Sequence, residues 1–168
     1  QGPKMIAASS HADGVLLNYA DPQMIDWAKT LISNSRKDFK MGIFPPALVG
    51  SSKLCNERLG IRTSAAVVAL GLNKSIMKRF QLIDDLMPAL VLIKSKRSID
   101  EDVVNGIEQK ILDRFCICGQ KEALKEYLAN LSHLAIDIIV FGPPQGASTR
   151  GITELVEAKD FCNNSVIH

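Results

Sequence analysis

Three apolar runs of this chain read as strands, and their continuity limits the fold more than any other feature. They are Val15, Leu16 and Leu17; most of residues 41–49; and Ile138, Ile139, Val140 and Phe141. A strand with one wet face alternates apolar with polar residues, whereas a strand covered on both faces in a parallel sheet reads as a continuous apolar run. Helical patterns separate the runs: Met24, Trp27, Ala28, Leu31 and Ile32 recur at three- and four-residue spacing, as on a helix that buries one side. Strand, helix, strand, helix of this kind predicts a parallel α/β fold.

The punctuation supports that order. Gly2-Pro3 opens a helix over 3–11, with proline early in the helix where its missing N–H costs little, and Asp13-Gly14 ends it. The strand at 15–17 follows, with Asn18 and Tyr19 at its exit. Asp21-Pro22 caps the next helix. Arg36, Lys37 and Lys40 fall in the loop after it and read as a solvated turn. Pro45 and Pro46 remove ladder donors from the strand at 41–49, which is therefore bulged there or shortened to one side.

Residues 53–112 read as a helical insertion, with a buried small-residue segment at 65–70. Gly71, Pro88 and the basic stretch 94–97 divide it into at least three helices. Ser98 caps a further helix whose first turn carries Asp100 and Glu101. A short extended segment at 115–119 leads to a helix over 121–134, where His133 favours the helix dipole. The last strand runs into Gly142-Pro143-Pro144-Gln145-Gly146, a final helix covers about 150–157, and the tail from Asn163 frays.

At 168 residues and 46% hydrophobic content, the chain is long enough for one domain with a sizeable core. Twenty basic against 18 acidic residues, with scattered aromatics, give no pull toward nucleic acid. The longest apolar run, 86–93, is broken by Pro88 and falls far short of the ~20 residues of a membrane span. No signal-like segment opens the chain, so a cytoplasmic protein without membrane association is expected. The first residue is not Met, and an N-terminal part of a longer protein is expected before it. Cys116-Ile117-Cys118 places two thiols on one face of a strand, and no second cysteine pair or nearby histidine completes a zinc set. Buried, reduced thiols and no metal site are the expectation.

Ligands of parallel α/β folds gather at the C-terminal ends of the strands. In this chain Gln1-Gly2, Asn18-Tyr19, residues 49–51 and residues 142–146 are so placed. Taken alone, Gly-Pro before a helix is more often a turn than an anion site.

The segments QGPKM and ADGVLLN, followed later by RFCICGQKEALKEYL and DIIVFGPPQG, resemble the C-terminal half of the luciferase-like flavin- and deazaflavin-dependent oxidoreductases. Within that family they are most similar to the methylenetetrahydromethanopterin reductases. A QGP loop, a DG-strand-N segment and a terminal G-x-P-x-G loop follow there in the same order, and the similarity covers nearly the whole chain. It implies the C-terminal portion of a TIM (β/α)8 barrel, from the loop after the fifth strand through the eighth, with a helical insertion before the last strand. Three strands cannot close a barrel, so the segment is expected to need its N-terminal half; a soluble, cooperatively folding monomer of this segment would refute that.

The resemblance also implies site residues. Backbone amides around Gln1, Gly2, Lys4 and Met5 hold a cofactor phosphate, in keeping with the anion affinity of helix N-termini. Asn18 faces substrate or cofactor, and Gly142, Pro143 and Gly146 shape the opposite rim. No catalytic residue is assigned in this segment, because the family's acidic residue is expected in the N-terminal half. Some positions depart from the pattern. The first helix is one residue short, and Ser9-Ser10-His11 replaces an Ala-Gly-acidic run. Gly119-Gln120-Lys121-Glu122 stands for Gly-Thr-Pro-Glu, and Ala135-Ile136-Asp137 lacks the glycine of Ala-Gly-Val-Asp. These departures mark a divergent member.

The implied function is hydride transfer from reduced coenzyme F420, an 8-hydroxy-5-deazaflavin, to methylene-tetrahydromethanopterin in one-carbon metabolism. A small-molecule substrate and a homo-oligomeric full-length protein go with it. Two alternatives stay open: an FMN-dependent monooxygenase or other F420-dependent dehydrogenase on the same fold, and a cofactor-free structural homologue.

Overall fold

A computed structural model describes residues 2–32, 37–50, 59–145, 149 and 151–157. The chain is mixed α/β with parallel strands throughout. Helix α1 (Pro3–Ala8), extended by a 3-10 turn at Ser9–His11, leads to β1 (Gly14–Leu17) and then α2 (Pro22–Leu31). Two short strands follow, β2 (Lys40–Ile43) and β3 (Pro46–Val49). The helical stretch contains α3 (Leu59–Leu70), α4 (Lys74–Arg79), α5 (Ile83–Lys96), α6 (Glu101–Asn105) and α7 (Gln109–Leu112). The chain then returns through β4 (Ile117–Gly119), α8 (Lys121–Ser132), β5 (Ile138–Ile139), β6 (Gly142–Gln145) and a helix over 151–157.

Two three-stranded parallel sheets share one central track of chain. In the first the order is β1-β2-β5, with Gly14 opposite Lys40, Leu17 opposite Ile43, and Ile43 opposite Ile139. In the second the order is β4-β3-β6, with Ala47 opposite Ile117. The expected single strand at 41–49 is thus two strands, parted at Phe44-Pro45. Pro46 occupies the first position of β3, where a strand tolerates proline. Pairing persists across the break, since the N–H groups of Val140 and Gly142 donate to the carbonyls of Ile43 and Pro45 at 2.9 and 2.8 Å.

Two features fix the register. A Cβ on Gly14 would lie 2.3 Å from the Lys40 carbonyl oxygen, so only glycine lets β1 approach β2 this closely. On the other side of β2, the Asp137 carboxylate accepts the Met41 N–H (2.8 Å) and pairs with Lys40 (3.2 Å), while Asp137 N–H donates to the Met41 carbonyl (2.8 Å). Accepting the Met41 N–H, with help from Lys40, holds the Asp137 carboxyl below its ordinary pKa.

Helix α2 begins where expected. The Asp21 carboxylate accepts the Met24 N–H at 2.9 Å, and Met24, Ile25, Trp27 and Ala28 are buried. Asp21 is itself buried, paired with Arg114 from the far side of the helical stretch, and the Tyr127 hydroxyl donates to the neighbouring Ala20 carbonyl. Helix α3 packs its buried Ile61, Ala65 and Ala69 onto β3 and β6 and against α5, α6 and α7, which joins the helical stretch to the sheet.

Several expectations need correction. Pro88 does not divide helices; it lies inside α5. Pro88 and Asp84, whose carbonyl loses its partner, are both exposed, so water can replace the missing bond. Asp100, not Ser98, caps α6, accepting the Val103 N–H at 3.2 Å. Lys40 belongs to β2 rather than to a solvated turn; Arg36 lies outside the described residues. Cys116 is free and buried, and burial pushes its thiol up to about 12. Cys118, by contrast, is disulfide-bonded, which overturns the reduced pair.

The expectation of strands covered on both faces also fails. Leu17 is buried, but Leu16 is 53% exposed, Ile138 47% and Val140 39%. Leu16 and Ile138 both flank Gly42, so they stand on one face, and the described residues leave it open. No helix among the described residues is long and apolar enough to cross a membrane.

Candidate functional site

At the C-terminal end of β1, Asn18 sits where two cavities meet. One, about 250 Å³, runs between α1 and β1 and is lined by Met5, Ile6, Ser9, Val15, Leu16, Leu17, Asn18 and Tyr19. The other, about 230 Å³, lies between the strand ends and α3 and is lined by Asn18, Phe44, Pro46, Ser64, Val67, Val68 and Pro143. Three predicted site residues from three separate elements, Met5, Asn18 and Pro143, therefore converge on adjoining spaces.

Among the described residues, neither cavity has a charged side chain in its lining. The hydroxyls of Ser9 and Ser64 are already engaged, donating to the Ile6 and Gly60 carbonyls at 2.6 and 2.9 Å. The Asn18 Oδ1 and the Tyr19 hydroxyl are buried and have no hydrogen-bond partner. Burial, with the charge of Asp21 adding, pushes the Tyr19 pKa well above its ordinary 10.0, so this phenol stays protonated. Unpaired buried polar atoms are rare because each forfeits about 1–3 kcal/mol of hydration. The arrangement suits a largely apolar group carrying a donor for Asn18. Among the described residues it holds no paired acid and base and no activated nucleophile.

The remaining predicted residues are placed differently. Gly2 is the N-cap of α1 and is buried, with Asn73 the nearest neighbour of the Cβ it lacks. The Met5 N–H turns back onto the Gly2 carbonyl at 2.9 Å, and Pro3 has no N–H, so Gly2 and Lys4 retain the amides free of the first helical turn. Lys4 is exposed and lines neither cavity. Gly142 is buried in the sheet, not on the rim. Its N–H donates to the Pro45 carbonyl, and a Cβ there would stand 2.9 Å from that oxygen. Gln1 and Gly146 lie outside the described residues.

Phe44, Ser64 and Val67 were not anticipated. Phe44 looked like the middle of a strand, and Val67 like part of a buried segment, yet they are 37% and 51% exposed beside Asn18. The only signal for Phe44 was Pro45-Pro46 behind it.

Comparison with known proteins bears on this geometry. No family model matches the chain. In sequence it is 24% identical over 166 residues to 5,10-methylenetetrahydromethanopterin reductase of Archaeoglobus fulgidus, covering 93% of this chain and 50% of that protein. The chain resembles half of that reductase. The same share of the chain, 93%, superposes on 47% of the coenzyme F420 dependent tetrahydromethanopterin reductase of Methanopyrus kandleri, with a TM-score of 0.72 and 17% identity. The fold is therefore shared with the F420-dependent reductase over that stretch, and the chain spans about half the length of both proteins it matches. The resemblance read from the QGPKM, ADGVLLN and DIIVFGPPQG motifs is borne out.

Proposed function

We propose that this chain forms the C-terminal half of a luciferase-like TIM barrel in an oxidoreductase that uses coenzyme F420 to reduce methylene-tetrahydromethanopterin. The observation that carries the reading is the convergence of Met5, Asn18 and Pro143 on two adjoining uncharged cavities at the strand ends, with the Asn18 Oδ1 left unpaired. The similarity to the reductases supplies the cofactor and the substrate class. The open apolar face around Leu16, Ile138 and Val140 agrees with it, because a barrel would enclose that face.

The residues present fit such a ligand. In its reduced form coenzyme F420 supplies the hydride. Asn18 would orient the bound ring system through its amide, Met5 and Pro143 would wall the space and exclude water, and the Lys4 N–H, with Gly2 behind it, would donate to the phosphate. Phe44 and Val67 extend the apolar lining beside Asn18 and would add packing surface for the bound groups.

The test uses the full-length protein. Reduced F420 is expected to be reoxidised on addition of methylene-tetrahydromethanopterin, and Asn18→Ala should lower kcat/KM by about 10- to 100-fold, the worth of one buried hydrogen bond. Tight FMN binding with oxygen uptake would replace this reading by the monooxygenase. A protein that binds neither cofactor would be a structural homologue.

A further inference from the structure

A second cleft, about 600 Å³, opens at the start of α2, three residues past Asn18, and none of its lining residues belongs to the two cavities above. Arg79 at the end of α4 and Arg114 after α7 both line it, together with Gln23, Gln81, Phe80 and Asp21. Each guanidinium is fixed from behind. Arg114 is paired through Nε with the buried Asp21, and its Nη1 faces the Phe80 carbonyl at 3.5 Å. Arg79 lies over the Trp27 ring, 5.5 Å from its centroid, and Trp27 in turn meets Phe80 edge to face at 5.5 Å.

The charges in the cleft do not balance. Two cations converge from elements 35 residues apart on one carboxylate, and among the described residues no carboxylate pairs with Arg79. Bringing like charges together disfavours the fold unless an anion joins them. The start of α2 is not the source of this field, because Asp21 already caps it by accepting the Met24 N–H. Stacked and paired guanidinia lose little freedom on gripping an oxyanion, which is how arginine recognises phosphate and carboxylate.

We propose that the cleft binds an oxyanion group, phosphate or carboxylate, gripped by Arg79 and Arg114 with the Gln23 and Gln81 amides as further donors. This site stands independently of the reading of the Asn18 cavities. Trp27, the single tryptophan of these 168 residues, lies under Arg79 and reports on it.

The experiment titrates the full-length protein with inorganic phosphate or with citrate at constant ionic strength. It follows the fluorescence lost in a Trp27→Phe variant, which isolates this ring. Saturation by phosphate, by citrate or by both supports the site and identifies the anion class. Arg79→Gln should weaken the affinity by about tenfold or more and Arg79→Lys much less, as expected for loss of one charge-assisted contact. A response no different from that of chloride, or unchanged saturation in Arg79→Gln, overturns the proposal. Should Arg79→Gln fail to fold, the side-chain amide NMR shifts of Gln23 and Gln81 in the unaltered protein decide it: no shift with either anion overturns the site.

Discussion

Asp21 performs two tasks that substitution can separate. Its carboxylate caps α2 through the Met24 N–H, and it neutralises Arg114 across 93 residues of chain. Asparagine caps a helix as well as aspartate does, so Asp21→Asn removes only the charge pairing. The Asp21 side chain is 8% exposed and that of Arg114 26%, which places the pair between surface bridges, worth under about 1 kcal/mol, and buried ones, whose breakage costs about 3–5 kcal/mol. Asp21→Asn should therefore cost about 2 kcal/mol. Asp21→Ala loses the cap as well and should cost about 1 kcal/mol more. Arg114→Met strands the more deeply buried partner, so it should exceed Asp21→Asn, and the double variant should recover part of the sum. Urea unfolding monitored by circular dichroism, with unchanged m-values, gives all four numbers. Equal stability of Asp21→Asn and the unaltered protein would refute a structural ion pair; equal loss in Asp21→Asn and Asp21→Ala would refute the separate cap.

Three further outcomes follow from the strand register. Gly14→Ala forces a Cβ to 2.3 Å from a backbone oxygen on the partner strand, where neither side can yield by a rotamer change, and should destabilise by about 3 kcal/mol or more in a thermal melt. Ala135 has φ 50, and its side chain is exposed. Ala135→Gly relieves a left-handed backbone worth about 1–2 kcal/mol, less about 0.5–1 for the freedom of glycine, so a gain of about 0.5–1 kcal/mol is expected, and a loss in the same melt would contradict it. Asp137 has its pKa lowered by folding, so its contribution is present above the unfolded value of 3.8 and disappears as pH falls through the folded one. The Tm difference between the unaltered protein and Asp137→Asn should thus be modest but present at neutral pH and shrink in acid; a pH-independent difference would dissociate Asp137 from the β2–β5 pairing.

What the sequence made legible was local. Pro3 and the Asp21-Pro22 cap mark helix starts because the signal and its consequence lie within one turn, and the Val15–Leu17 run marks β1 because continuity needs no partner to be seen. Ser98 reads as the cap, but the cap is Asp100, whose side chain also meets Lys96 one helix back. Pro88 misled because the cost of a helical proline is lessened where water reaches the freed carbonyl, and exposure is not written in a local pattern.

The candidate site divides along the same line. Asn18 could be placed at a strand exit from the sequence, but its meeting with Val67 and Pro143 depends on how α3 folds back over β3 and β6. Gly142 shows the converse error. Its place in a G-x-P-x-G loop pointed to a ligand rim, whereas the close approach of the Pro45 carbonyl already accounts for a residue without a Cβ. Ala135 sharpens the argument. It lies in the segment that lacks the glycine of Ala-Gly-Val-Asp, and it adopts a left-handed backbone that glycine would take freely. The backbone there is dictated by the return of the chain from α8 into β5 rather than by the residue occupying it.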